Sequence, residues 1–152
     1  MLIRDCMKHN VISIPVESTI GQAVRVFTEN RIGTLPVVDK GGRLVGLLQL
    51  RDLLSLVTPD FVRLIEDFDF VHDFGAVETR QPLPEQIKQP ISAFVQPPVA
   101  VEDSSGLLRA FSLLHKHRLL DLPVVDREKR LVGIASRVDI GVALLAGWQN
   151  DE

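Results

Sequence analysis

Cysteine occurs once in 152 residues, as Cys6, so the chain cannot close an internal disulfide and carries no mark of an oxidising compartment. A basic excess is also missing: 17 Lys and Arg stand against 20 Asp and Glu, a formal charge of -3 with both signs interspersed. Proteins that follow a duplex neutralise its phosphates with a basic stripe, so nucleic acid is excluded as a main partner. Long apolar runs are absent too. No stretch nears the ~20 apolar residues of a membrane span. The opening "MLIRDCMKHN" lacks the continuous apolar core of a secretory signal. The expectation is a soluble, cytoplasmic chain with no membrane partner.

Apolar residues are plentiful, 45% against 24% charged, enough for one globular unit or two small ones sharing a core. Their order repeats. A shift of 87 places lays Leu35-Pro36-Val37-Val38-Asp39 on Leu122-Pro123-Val124-Val125-Asp126, and Leu44-Val45-Gly46 on Leu131-Val132-Gly133, without a gap. Over residues 31–52 against 118–139, 11 of 22 positions are identical, which marks two copies of one unit.

In the first copy the alternating, β-branched run Val11 to Val16 predicts a strand. Thr19 with Gln22 three residues on reads as a capping box, and Ile20, Ala23, Val24 and Phe27 share one helix face. Leu107, Ala110, Phe111 and Leu114 repeat that face. Two short apolar strands follow, Leu35 to Val38 and Leu44 to Leu48, joined by "DKGGR", whose glycines permit a tight hairpin. The matching "DREKR" has no glycine and predicts a longer loop built on a type I turn. A last helix closes each copy, from about Arg51 to Val57 and from about Val138 to Gly147.

Each unit thus reads β-α-β-β-α. One three-stranded sheet leaves a face uncovered, and two packed together bury a common apolar layer. The predicted fold is α/β in the mixed α+β sense: tandem repeats packed sheet to sheet with pseudo-twofold symmetry. Residues 1–57 form the first repeat, 58–89 a helical insert and linker, and 90–148 the second repeat.

Both copies resemble the CBS domain, named after cystathionine β-synthase, and the pair resembles a Bateman module. The resemblance is carried by the helix flanked by "VISIPVEST" or "PPVAVEDSS", then "LPVVD", then "LVG", then an aspartate six residues past the glycine. It implies a stand-alone regulatory module that needs no cofactor. Such modules bind AMP, ADP, ATP or S-adenosylmethionine in the cleft between copies, and two often stack into a flat homodimer. Ligands favour crevices between structural halves, in agreement with a pseudo-twofold packing.

The family pattern Gly-x-x-Ser/Thr-x-x-Asp is complete in the second copy as "GIASRVD", with Gly133, Ser136 and Asp139. A carboxylate can receive both hydroxyls of a ribose, and a hydroxyl at a helix start suits a phosphate or a ribose oxygen. Ser136 followed by Asp139 is equally an ordinary helix cap, and the two readings are compatible. In the first copy, "GLLQLRD" keeps Gly46 and Asp52 but puts Gln49 in place of the small hydroxyl, a poor cap whose side chain would project into the cleft. One good site is expected rather than two.

By the same resemblance the base would lie against Val99, Ala100, Leu122 and Pro123, each of which also reads as ordinary core or strand. Asp121 stands just before the Leu-Pro step, where the family often carries a basic or polar residue, and an acid there repels phosphates. Arg118 and Arg137 could compensate, although each also reads as a solvated helix-end charge. AMP or S-adenosylmethionine is therefore favoured over ATP.

The insert holds four of the seven phenylalanines. Thr58, Pro59 and Asp60 mark a helix start and Gly75 a stop, with Phe61, Leu64, Ile65 and Phe68 on one face. That face packs on the module's own flank or docks a partner protein. Asp69, His72 and Asp73 at i, i+3, i+4 could gather a metal only with a further ligand, and none is identifiable, so no metal is expected. Pro82, Pro84 and Pro90 mark an extended linker. His9, His72, His115 and His117 lack companions for catalysis, and the last two, two residues apart, share no helix face. A non-enzymatic sensor, or a ligandless dimerisation module, is the expectation.

Overall fold

A computed structural model of the chain describes residues 1–57 and 81–151. The insert helix from Thr58, its phenylalanine face and the Asp69, His72, Asp73 group lie outside the described residues.

The apolar segments of the first repeat build a sheet of β1 (Ile14–Pro15), β2 (Thr34–Val38) and β3 (Leu44–Gln49). Those of the second build β4 (Val101–Glu102), β5 (Asp121–Val125) and β6 (Leu131–Ser136). In each, the first strand runs parallel to the second and the second antiparallel to the third. The registers match: Val37 faces Gly46 and Val124 faces Gly133, and both ladders shift at the next residue. The expected strand Val11 to Val16 is cut to two residues, with Val16 N–H donating to Val38 O at 3.0 Å beyond them, and the matching strand β4 is equally short.

The loop of the second hairpin is not longer than that of the first. Asp39 N–H donates to Arg43 O and Asp126 N–H to Arg130 O, both at 3.0 Å. In each loop the aspartate Oδ1 accepts two further backbone N–H groups, from Gly41 and Arg43 or from Glu128 and Arg130, at 2.9–3.0 Å. These bonds hold the fourth loop residue left-handed whether it is Gly42 (φ 81°) or Lys129 (φ 67°).

Helix α1 (Ile20–Asn30) starts at the expected box, with Thr19 Oγ1 accepting Gln22 N–H at 3.2 Å and Gln22 Oε1 accepting Thr19 N–H at 2.9 Å. Its counterpart, named α4 in chain order (Leu107–His117), starts on Gly106 without a side-chain cap. Both end on a left-handed arginine, Arg31 or Arg118. Ile20, Ala23 and Phe27 are buried, as are Leu107, Ala110 and Leu114. Val24 and Phe111, expected on the same faces, are 39% and 42% exposed, since each sits at the edge of the stripe and projects from the flank. Helices α2 (Leu50–Leu54) and α5 (Arg137–Ala146) close the repeats. The segment expected as extended linker contains one helical turn, α3 (Pro84–Ile87). Pro84 fits the first helical position, where no N–H is needed, and Leu83 N–H is taken by Gln86 Oε1 at 2.7 Å.

The two repeats exchange their opening arms. Residues 1–10 lie on the second repeat: Ile3 N–H donates to Ser105 O at 2.8 Å, and Lys8 trades backbone bonds with Ile134 of β6 at 2.8 and 3.0 Å. The second arm answers on the first repeat. Ile91 N–H donates to Ser18 O at 2.9 Å, and Gln96 trades bonds with Leu47 of β3 at 2.8 and 3.0 Å. Ile3 and Ile91 are wholly buried, each within the other repeat's core. Leu44 and Leu47 of β3 also join the second repeat's core, so the halves share an interior. Gly46 and Gly133 let the arms cross: a Cβ on Gly46 would strike Val95 Cγ1 and sit 2.9 Å from Gln96 O, and one on Gly133 would strike Met7 Sδ.

Candidate ligand-binding crevice

Strand β6 ends at Ser136 and α5 begins one residue later, so Ser136 caps the helix. Its Oγ accepts Asp139 N–H at 3.0 Å, and Asp139 Oδ2 accepts Ser136 N–H at 2.9 Å. The exchanged arm then brings Lys8 alongside, its Nζ 3.5 Å from Asp139 Oδ2. Burial alone would raise the Asp139 pKa, but hydrogen bonds from Ser136 and the Lys8 ammonium outweigh it and hold the carboxyl below the usual range. At neutral pH Asp139 is ionised, and Oδ1 remains to accept a hydroxyl.

Opposite Ser136 on the ladder stands Asp121, the first residue of β5. Burial pushes it above the ordinary carboxylate range. The Lys8 ammonium and a hydrogen bond from Thr34 oppose this, and the Asp139 charge adds to it. Asp121 lines a crevice of about 360 Å³ that both repeats build. The first arm contributes Lys8, Asn10 and Ile12. The turn from α1 into β2 contributes Arg31, Ile32, Gly33 and Thr34, and β6 contributes Ile134.

The crevice draws its walls from a different repeat than the resemblance implied. Leu122 and Pro123 are buried in the sheet and offer no surface. Val99 packs against the second core, and Ala100 lines a separate cavity of about 610 Å³ beside Glu102, Arg109 and Lys129. The physical reason is the pseudo-twofold axis: a residue near it faces its own repeat mate, so Asp121 meets Thr34, and the exchanged arm brings Lys8 to Asp139. That symmetry was the available signal for Lys8, Ile12, Ile32 and Thr34. Arg137 turns its Nε to Leu119 O at 2.8 Å and pins the turn before β5.

On the first-repeat side, Asp52 Oδ2 accepts Gln49 N–H at 2.9 Å, but no side-chain cap is made. Gln49 is buried rather than projecting into the cleft. Gln96 stands on β3 where Lys8 stands on β6, so no cation faces Asp52 from that arm. Asp52 lines a separate hollow of about 380 Å³ with Arg51, Ser55 and Gln96. Among the described residues no group of three or more His, Cys, Asp or Glu side chains could hold a metal, and no helix is long and apolar enough to cross a membrane.

Two stretches, residues 3–58 and 91–145, match the CBS domain. The chain belongs to the CBS-domain family. A CBS domain-containing protein of Dictyostelium discoideum is 30% identical over 92% of this chain and 88% of its own length. The crystal structure of the CBS-pair protein CBSX2 from Arabidopsis thaliana superposes with a TM-score of 0.73 at 25% identity, over 98% of this chain and 97% of that one. A second CBSX2 structure, solved in complex with AMP, has a TM-score of 0.70 at 27% identity, over 97% and 98% of the two chains. The fold is also that of the CBS domain pair of protein MJ0100, solved with 5-methylthioadenosine and S-adenosylmethionine, at a TM-score of 0.69 and 21% identity over 97% and 98%.

Proposed function

We propose that this CBS pair is a regulatory module, not an enzyme, that binds one adenosine-containing ligand in the crevice between its repeats. AMP stands ahead of S-adenosylmethionine, ADP and ATP. The reading is supported by one arrangement above others: the ionised Asp139, backed by Ser136, pairs with Lys8, and Lys8 lines a crevice walled by both repeats. Ribose hydroxyls would replace the Lys8 ammonium on Asp139, and the base would lie between Ile12 and the Ile32-Gly33 turn. The AMP complex of CBSX2 supports the ligand class.

A ligand seated there touches the exchanged arm and β6 together, so it favours one set of the two halves, and a dimer partner or target protein reads the change. The exposed apolar side chains Val24, Leu108, Phe111 and Val142 of helices α1, α4 and α5, with Trp148 beyond them, support a homodimer. They equally favour the second reading, a ligandless dimerisation module. A cytoplasmic setting fits both.

Thermal unfolding with AMP, ADP, ATP and S-adenosylmethionine separates the two. A ligand at about 100 times its dissociation constant adds about 2.7 kcal/mol of stability. Asp139→Ala should abolish that gain while the unliganded protein still unfolds cooperatively. If none of the four compounds moves the transition at millimolar concentration, the sensing reading fails and the dimerisation reading stands.

A further inference from the structure

We propose that Asp121 is the specificity determinant of the crevice, a charge filter that admits nucleosides and nucleoside monophosphates and turns away polyphosphates. The inference rests on the ligand reading above. Three charged groups line the crevice, and a fourth, Asp139, adjoins it through its ion pair with Lys8. Lys8 comes from the first arm, Arg31 from the end of α1, Asp121 from β5 and Asp139 from α5. Two cations face two carboxylates, so the formal sum is zero.

The acid is not something the β-α-β-β-α unit requires. At the same repeat position the first copy carries Thr34, and its β2 has the same register as β5. Asp121 is half-buried, and the groups that face it, Thr34 and Lys8, are themselves crevice residues. Burying a carboxylate against so few partners is costly, and its sister copy shows that the cost is avoidable.

The consequence for a nucleotide follows from charge. When ribose hydroxyls occupy Asp139, Lys8 is released towards Asp121, and Arg31 is the lining cation left for a phosphate. One phosphate is matched. Further phosphates add negative charge beside Asp121 with no cation along the crevice wall to meet it. An anion beside Asp121 also strengthens its hold on a proton, so AMP affinity should rise as pH falls from neutral. Lys8, Arg31 and Asp139 are the other charges facing it, and an Asp121→Asn variant should flatten that pH dependence.

Titration calorimetry with adenosine, AMP and ATP, in chelator so that no cation masks the phosphates, tests this on the full chain and on Asp121→Asn. The parent should bind AMP more tightly than ATP. In the variant the ATP-to-AMP affinity ratio should rise about tenfold, the effect of one charge at about 6 Å in a half-solvated site with a dielectric constant of roughly 40. Asp121→Thr, which installs the sister copy's residue, should do the same and guards against a variant that fails to fold. A parent that binds ATP as well as AMP, or a ratio unchanged in both variants, overturns the filter alone. If adenosine, AMP and ATP all fail to bind the parent, the ligand reading falls and the filter with it.

Discussion

Substituting Gly46 by alanine tests the arm exchange at the point where two chain segments touch most closely. The added Cβ meets Val95 Cγ1 and lies 2.9 Å from Gln96 O, the carbonyl that accepts Leu47 N–H at 3.0 Å. Backbone must move, because neither group is the free end of a flexible side chain. Overpacking of this kind costs about 1–3 kcal/mol, and the stiffer unfolded chain of an alanine variant returns about 0.4–1 kcal/mol. The net loss falls between about 0 and 2.6 kcal/mol, with its middle near 1.3 kcal/mol. Gly133→Ala meets only Met7, whose thioether can rotate away, and should cost less than about 1 kcal/mol. Urea unfolding followed by circular dichroism measures both, and at this chain length each kcal/mol lowers Tm by about 2–4 °C. A Gly46→Ala protein more stable than its parent, or a reversed order of the two variants, would refute the exchanged arms.

Ile3→Ala and Ile91→Ala should each cost about 2–5 kcal/mol although both lie in the short opening arms of the repeats, and a loss under 1 kcal/mol in urea unfolding would contradict their burial. Lys129→Gly should stabilise by up to about 1 kcal/mol by relieving a left-handed lysine, whereas Gly42→Ala should destabilise by a similar amount. Asp121 holds its proton more tightly folded than unfolded, so its contribution to stability grows as pH falls through its raised folded value towards the unfolded one. Asp139 has the opposite sign: its contribution is present above the unfolded carboxylate value and is lost as pH falls through its lowered folded one. In pH-dependent urea unfolding, Asp121→Asn should remove the mildly acid rise, and persistence of that rise would refute the assignment.

The doubled unit, the Thr19 cap, the buried helix faces and the strand order were legible because each rests on local pattern within a copy. Lys129 hid its left-handed turn because the hydrogen bonds that enforce it come from Asp126, a residue both loops share, and not from a glycine. The arm exchange was hidden for a different reason. Ile3 and Ile91 are 88 apart where the rest of the repeat is 87 apart, and their neighbours share little sequence, so no pattern announces which sheet each arm joins. Gly46 and Gly133 were visible as part of a ligand motif, yet what they accommodate is the crossing arm. Ser136 and Asp139 were legible as a helix cap from their spacing, and the resemblance named them as ligand candidates. Lys8 and Thr34 were not, since a wall supplied by the other repeat appears only once the pseudo-twofold axis is placed.

The most direct measurement is a crystal structure of the protein grown with AMP. The account predicts ribose hydroxyls on Asp139, Lys8 displaced from that carboxylate, and adenine between Ile12 and the turn at Ile32 and Gly33. AMP bound instead beside Asp52, or Lys8 still paired to Asp139 with the crevice free of nucleotide, would contradict it.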